Sequence, residues 1–278
     1  MKYQEIIYND VKSLKIENEI YEMIIPLAYG IRITSFLRKG DHNFLGEGVN
    51  ISRENGKDTW YIRGGHRLWH TPEKFPRTYM PDNKAVDYEI KDETIILIQP
   101  VNNETHIQKK LKIKFIDEGQ KVQLEHVLMN KGQWPIETAA WGITILRTGG
   151  IAKVPLNTKK HDLLSTKRFS VWSYCHLGDE RIHFNKDYFT LKQDVNNEQA
   201  FKIGTNNEEG WASYTEGGYT FTKSFGYQVG KEYPDHGCSF ETYTNDKILE
   251  LETLSPIQII DSGEAIRHFE MWAINKEE

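Results

Sequence analysis

The sequence predicts a nearly all-β chain built of short, mainly antiparallel strands with few or no helices. Three observations carry this. Apolar residues recur with period two along many segments, the signature of strands that show alternate side chains to opposite faces. No fifteen-residue stretch places apolar residues at i, i+3, i+4 and i+7, so many strands follow one another without helices between them, as in a sandwich or barrel. No Pro/Gly/Ser-rich linker or shift in composition divides the chain, which points to one domain over residues 1–278.

The elements can be justified in order. Ile107, Leu111, Ile113 and Phe115 alternate with Lys110, Lys112 and Lys114, a half-buried strand whose lysines face solvent. Val122, Leu124, His126 and Leu128 share the next apolar face, and Asn130-Lys131-Gly132 supplies a turn. Ile143 and Ile145 continue the pattern after Trp141, Tyr219 to Phe225 repeats it, and Arg267, Phe269 and Met271 close it. Glu54-Asn55-Gly56, Gly149-Gly150 and Gly217-Gly218 fit the breaks. The segment Asp58 to Asp82 differs: three of the nine prolines lie in it, and it is rich in aromatic residues. Prolines interrupt regular structure, while the aromatics favour ordered burial, so a packed loop over a cleft is expected there.

Composition narrows the function. With 38% hydrophobic and 27% charged residues, the balance is that of a folded chain with a polar surface. A net charge of -5 and the lack of a dense basic run argue against nucleic acid as a partner. Two cysteines, Cys175 and Cys238, are too few for a disulfide scaffold. No uninterrupted apolar stretch nears the ~20 residues of a membrane helix, and the first residues lack the apolar core of a signal peptide. A cytoplasmic protein that does not use a membrane, as a monomer or homodimer, is expected.

Two constellations carry candidate chemistry. In Gly64-Gly65-His66-Arg67-Leu68-Trp69-His70-Thr71-Pro72-Glu73, tandem glycines allow a close backbone approach beside an imidazole, a guanidinium and an indole. An acid/base, a clamp and a stacking plate suit a polyhydroxylated ligand. The competing reading is a loop held down by its own Arg and Trp. His66, His70 and Glu73 also suggest a metal, but the glycines and Pro72 deny the helix that the four-residue histidine spacing needs. No metal and no cofactor is therefore expected. In Leu249-Glu250-Leu251-Glu252, alternation puts both glutamates on one strand face, with Cα atoms ~6.5–7 Å apart. Such a pair can divide the roles of base and hydrogen-bond acceptor, although a solvated face is the usual fate of alternating glutamates.

Several segments resemble the galactose-mutarotase-like superfamily. Ile24-Ile25-Pro26-Leu27-Ala28-Tyr29-Gly30-Ile31-Arg32-Ile33 is similar to its opening strand pair, and Leu128-Met129-Asn130-Lys131-Gly132 to its mid-chain strand and turn. Glu252-Thr253-Leu254-Ser255-Pro256, then Asp261-Ser262-Gly263-Glu264 and a last strand to Trp272, resembles its glutamate strand, turn and final strand. The run from Gly64 to Glu73 resembles a bacterial branch of that superfamily with no established activity. The resemblance implies an all-β supersandwich. It also implies that Glu252 is the base of aldose 1-epimerases, with Glu250 as the competing register. The family's acid, a histidine, has no counterpart in Ala139-Ala140-Trp141-Gly142-Ile143-Thr144-Ile145-Leu146. His66 is the provisional acid, with His126 an alternative if it is not simply a satisfied core histidine.

The expectation is thus a protein that binds a sugar, sugar acid or oligosaccharide through Arg67, Trp69, His70, Glu73, Trp141, Arg147, Glu250 and Tyr243. If catalytic, it would be an isomerase (epimerase-like) or lyase that moves protons with Glu252 and His66. Lys223 and His236 are further cleft candidates, more loosely held. The alternatives are a non-catalytic sugar-binding module and a metal-dependent hydrolase or lyase.

Overall fold

A computed structural model describes residues 1–277. Every strand pairing in it is antiparallel. Two large sheets dominate. One has seven strands in the order Phe169–Val171, Phe201–Thr205, Phe240–Thr244, Leu249–Leu254, Ala140–Leu146, His66–His70 and Arg32–Ile33. The other has ten, with the closing strand Ala265–Lys276 near its middle, between Tyr219–Phe225 and Lys121–Asn130. A four-stranded sheet of residues 2–38 adds a third layer of pairing. The only α-helical assignment among the described residues is the turn Pro234–Gly237, in which Asp235 and His236 both have positive φ. No helix of the structure is long and apolar enough to cross a membrane.

The two large sheets meet face to face. Phe240, Leu249 and Leu251 from the seven-stranded sheet join Phe221, Trp272 and Ile274 from the ten-stranded one in a single buried cluster. Each such side chain contributes ~1.5–3 kcal/mol of burial, enough to specify register, because a one-residue slip would turn every one of them outward. The expected all-β, antiparallel architecture is what the chain adopts.

The expectation of a packed loop over Asp58 to Asp82 needs correction. Asp58–Tyr61 forms a hairpin strand, and His66–His70 is an inner strand of the seven-stranded sheet, between Ala140–Leu146 and Arg32–Ile33. Its alternation was hidden because polar residues occupy both faces: His66 and His70 flank Leu68 on one side, Arg67 and Trp69 share the other. The tandem glycines also serve a different purpose from ligand approach. Gly64 and Gly65 have φ of 81° and 69°, and a Cβ on either would lie 2.1 Å from the Gly46 carbonyl oxygen or 2.3 Å from that of Ile33. They let backbone pack on backbone where the strand begins.

Candidate functional site

Register brings the chemistry together. Glu241, Glu252, Ile143 and Arg67 oppose one another across four neighbouring strands; Tyr243, Glu250 and Ile145 form the next row, and Leu254, Trp141 and Trp69 a third. Alternation keeps these on one face of the seven-stranded sheet, the face turned away from the ten-stranded sheet. There all of them except Glu241, Ile145 and Leu254 line a cleft of about 230 Å³ together with Trp60, Glu73, Tyr79, Tyr174 and Lys202. A larger basin of about 490 Å³ lies elsewhere, among Asn55, Pro81 and Asn102, but no aromatic side chain lines it. The smaller cleft is the better candidate, since it joins aromatic rings and the cations Arg67 and Lys202 to the buried carboxyl pair Glu250 and Glu252.

Within the cleft Glu252 is built as an acceptor. Its Oε2 receives the Trp141 indole N–H at 2.8 Å and the Lys202 ammonium at 3.1 Å, while Oε1 has no protein partner. Lys202 also lies 2.7 Å from Glu241 Oε2. Burial works against the Lys202 ammonium, but Glu252 and Glu241 outweigh it and hold the group well above the usual lysine range. Glu241 itself is driven well up by burial, more than Lys202 pulls it down. Glu250 has one charged partner, Arg67, at 3.3 Å. Burial, opposed by Arg67 and reinforced by the Glu252 charge, pushes Glu250 up to about 7. Arg67 keeps Nε and one terminal nitrogen without a protein partner.

The indoles are not open plates. Trp69 and Trp141 are nearly buried and meet edge to face at 5.5 Å. The Arg67 guanidinium lies 4.7 Å from the Trp69 ring centre, and the Lys202 ammonium 4.7 Å from that of Trp141. The rings therefore hold the cleft's cations in place through cation–π attraction. Tyr174, 44% exposed, and the half-buried Tyr79 and Tyr243 are the more open rings of the cleft. Tyr79 donates its hydroxyl hydrogen to Glu73 at the rim.

Other expected site residues lie elsewhere. His66 turns to the opposite face of the sheet, wholly buried between the two large sheets, so it cannot serve as acid beside Glu252 in this arrangement. His126 Nδ1 lies 3.1 Å from the His268 carbonyl oxygen, which only accepts, so this nitrogen carries the proton. With both imidazoles neutral, His66 Nε2 then donates to His126 Nε2 at 2.7 Å, and His66 Nδ1 accepts from Thr144 at 2.9 Å. Burial drives His66 well below its ordinary range. Lys223 donates to the Gly142 and Leu251 carbonyls and to Thr144, and pairs with Glu270 at 3.1 Å. These are hydrogen-bonded core groups behind the strands that carry the cleft. His70 also points away from the cleft, into a separate void of about 20 Å³. Arg147 is exposed just past its strand and His236 sits on an exposed turn, both outside the cleft lining.

The metal reading through His66, His70 and Glu73 loses its geometry, because a strand spaces the two imidazoles ~13 Å apart and Glu73 lies at the cleft rim on the other side. His66, His126 and Glu270 do bring ligand atoms within 4.8 Å of one another. There, however, the Lys223 ammonium already supplies the cation beside Glu270.

Lys202, Glu241, Tyr79 and Tyr174 were missed from sequence. For Lys202 a signal existed: a lysine between Phe201 and Ile203 on an otherwise apolar strand must face a partnered interior. Nothing local marks the tyrosines.

The class defined by this arrangement is a mutarotase-like sandwich with its cleft on the face of one sheet that is turned away from the other. The chain has the galactose mutarotase-like fold. A galactose mutarotase-like protein from Lactobacillus casei superposes with a TM-score of 0.55 at 12% identity, over 95% of this chain and 100% of that one. One from Clostridium acetobutylicum does so with a TM-score of 0.53 at 10% identity, over 99% and 98%. The galactosidase domain of an alpha-galactosidase-sucrose kinase matches with a TM-score of 0.57 at 11% identity, over 99% of this chain and 42% of that one. No family model and no curated protein matches the sequence.

Proposed function

We propose that the cleft binds a sugar or sugar acid and moves a proton on it, with Glu252 as the base. The observation that carries this reading is the state of Glu252, a residue of the cleft lining: one carboxylate oxygen is fixed by Trp141 and Lys202, and the other is buried without a protein partner. A fixed acceptor aimed at a ligand hydroxyl is what proton abstraction requires. Arg67, the carboxyls and three tyrosines add the mixed donors, acceptors and ring faces that suit a polyol. The mutarotase-like and galactosidase names of structures with this fold agree with a carbohydrate ligand.

A second reading, a sugar-binding module without turnover, is favoured by one fact: no histidine is among the cleft-lining residues. A thermal-shift panel of neutral sugars, uronic acids and short oligosaccharides tests the common part of both. A ligand at 100 times its Kd adds ~2.7 kcal/mol, a readable rise in Tm. With a binding sugar in hand, Glu252→Gln separates the readings: an enzyme loses turnover and keeps binding, whereas a module has no turnover to lose. A flat panel would remove both.

A further inference from the structure

We propose that Glu250 is the proton donor of this cleft, the acid that works opposite Glu252. This deepens the reading above and rests on it. The geometry begins with two glutamates two residues apart on one strand face, set in unlike surroundings. Glu252 has an indole N–H and an ammonium on one oxygen. Glu250 has a single guanidinium contact, at the longer distance of 3.3 Å, and faces Ile145 and Tyr243 across its two neighbouring strands. Two neighbouring carboxyls held by such unequal sets of donors can divide the roles of acid and base.

The charge count points the same way. Glu241, Glu250 and Glu252 bring three carboxyls against two cations, Lys202 and Arg67. Lys202 lies between Glu241 and Glu252, leaving Glu250 only Arg67. A buried excess of negative charge is costly and is relieved by taking up protons. Glu250 is the titrating carboxyl with the ligand-facing position, since Glu241 is outside the cleft lining. The charged or titratable groups around it are Arg67 from His66–His70, Lys202 from Phe201–Thr205, Tyr243 from Phe240–Thr244 and Glu252 on its own strand. No imidazole stands among them.

The step balances without any co-reactant. On a cyclic hemiacetal, Glu252 takes the proton of the anomeric hydroxyl while Glu250 gives its proton to the ring oxygen. The bond from the anomeric carbon to the ring oxygen breaks, and its electron pair stays on that oxygen; the anomeric C–O bond becomes a carbonyl. Closure on the other carbonyl face reverses both transfers and restores both carboxyls. Burial serves the donor: at neutral pH it keeps a substantial share of Glu250 protonated, where an exposed glutamate would be ionised.

The test measures anomer interconversion by polarimetry with the aldose that gives the largest thermal shift, using the full chain and Glu250→Gln. The proposal expects the variant to bind the sugar and to lose ~10²–10⁴-fold in rate, and the wild-type rate to fall as pH rises through about 7. Should Glu250→Gln fail to fold, the wild-type pH profile decides, together with difference infrared spectra of its protonated-carboxyl band across the same range. An unchanged rate in a folded Glu250→Gln, or a wild-type rate flat across neutral pH, overturns the role of Glu250 and leaves the sugar reading standing. Sugar binding without any interconversion by the wild type ends the catalytic reading, and this proposal with it.

Discussion

Lys223→Met is the most demanding test of the core behind the cleft. The ammonium is fully buried, makes three hydrogen bonds to Gly142, Thr144 and Leu251, and pairs with Glu270 at 3.1 Å. Methionine fills similar space but removes the ammonium beside the buried Glu270 carboxylate, which keeps only its hydrogen bonds from Thr253 and the Trp272 indole. Removing one partner of a buried pair costs ~3–5 kcal/mol. The pH dependence has a definite sign. Burial pushes the Glu270 carboxyl up, but Lys223 foremost, then His126, His66 and His268, holds it well below the usual carboxylate range. A depressed carboxylate contributes stability above its unfolded pKa and loses it as pH falls. The deficit of Lys223→Met is therefore largest at neutral pH and shrinks in acid, where Glu270 is protonated in the variant. Urea titrations at pH 7 and pH 5 measure it, and Lys223→Met/Glu270→Gln recovers part of the loss. A single variant within ~1 kcal/mol of wild type at pH 7 would refute the reasoning.

Three further outcomes follow from the same structure. His66→Asn removes the donor to His126 behind the sheet, so it costs ~1–3 kcal/mol in urea unfolding and leaves sugar affinity unchanged in a thermal-shift titration; lost affinity with retained fold would put His66 back in the site. Gly64→Ala forces a side chain into a φ of 81° and onto the Gly46 carbonyl, where strain alone costs ~1–3 kcal/mol, read as a lower urea midpoint. Glu250 is raised to about 7, so its ionisation opposes folding: stability falls as pH rises from ~4.5 to ~7 by about 3 kcal/mol more in wild type than in Glu250→Gln, measured by urea titration across that window.

Much of the fold was legible because strand alternation is a local signal. Glu250 and Glu252 share a face for the same reason, and their common orientation could be read from Leu249 and Leu251. What alternation cannot say is which face meets the second sheet. In His66–His70 both faces are polar, so the imidazoles and the Arg67–Trp69 pair were indistinguishable until Ala140–Leu146 and the ten-stranded sheet were in place. Lys202 reaches Glu252 only through register with strands distant in sequence, and Glu241 opposes it only once the register of the hairpin Phe240–Leu254 is set. Tyr174 lies between strands and carries no periodic mark at all.

The central claim is that a sugar binds against Glu252 on the face of the seven-stranded sheet turned away from the ten-stranded one. Nitrogen NMR of the seven tryptophan indoles, with Trp141→Phe assigning the Trp141 signal, reads that face directly during titration with the sugar that shifts Tm. The account expects the Trp141 N–H, bonded to Glu252 at 2.8 Å, to move saturably while the core Trp272 stays still. Saturable binding that leaves Trp141 unmoved would place the ligand elsewhere and contradict it.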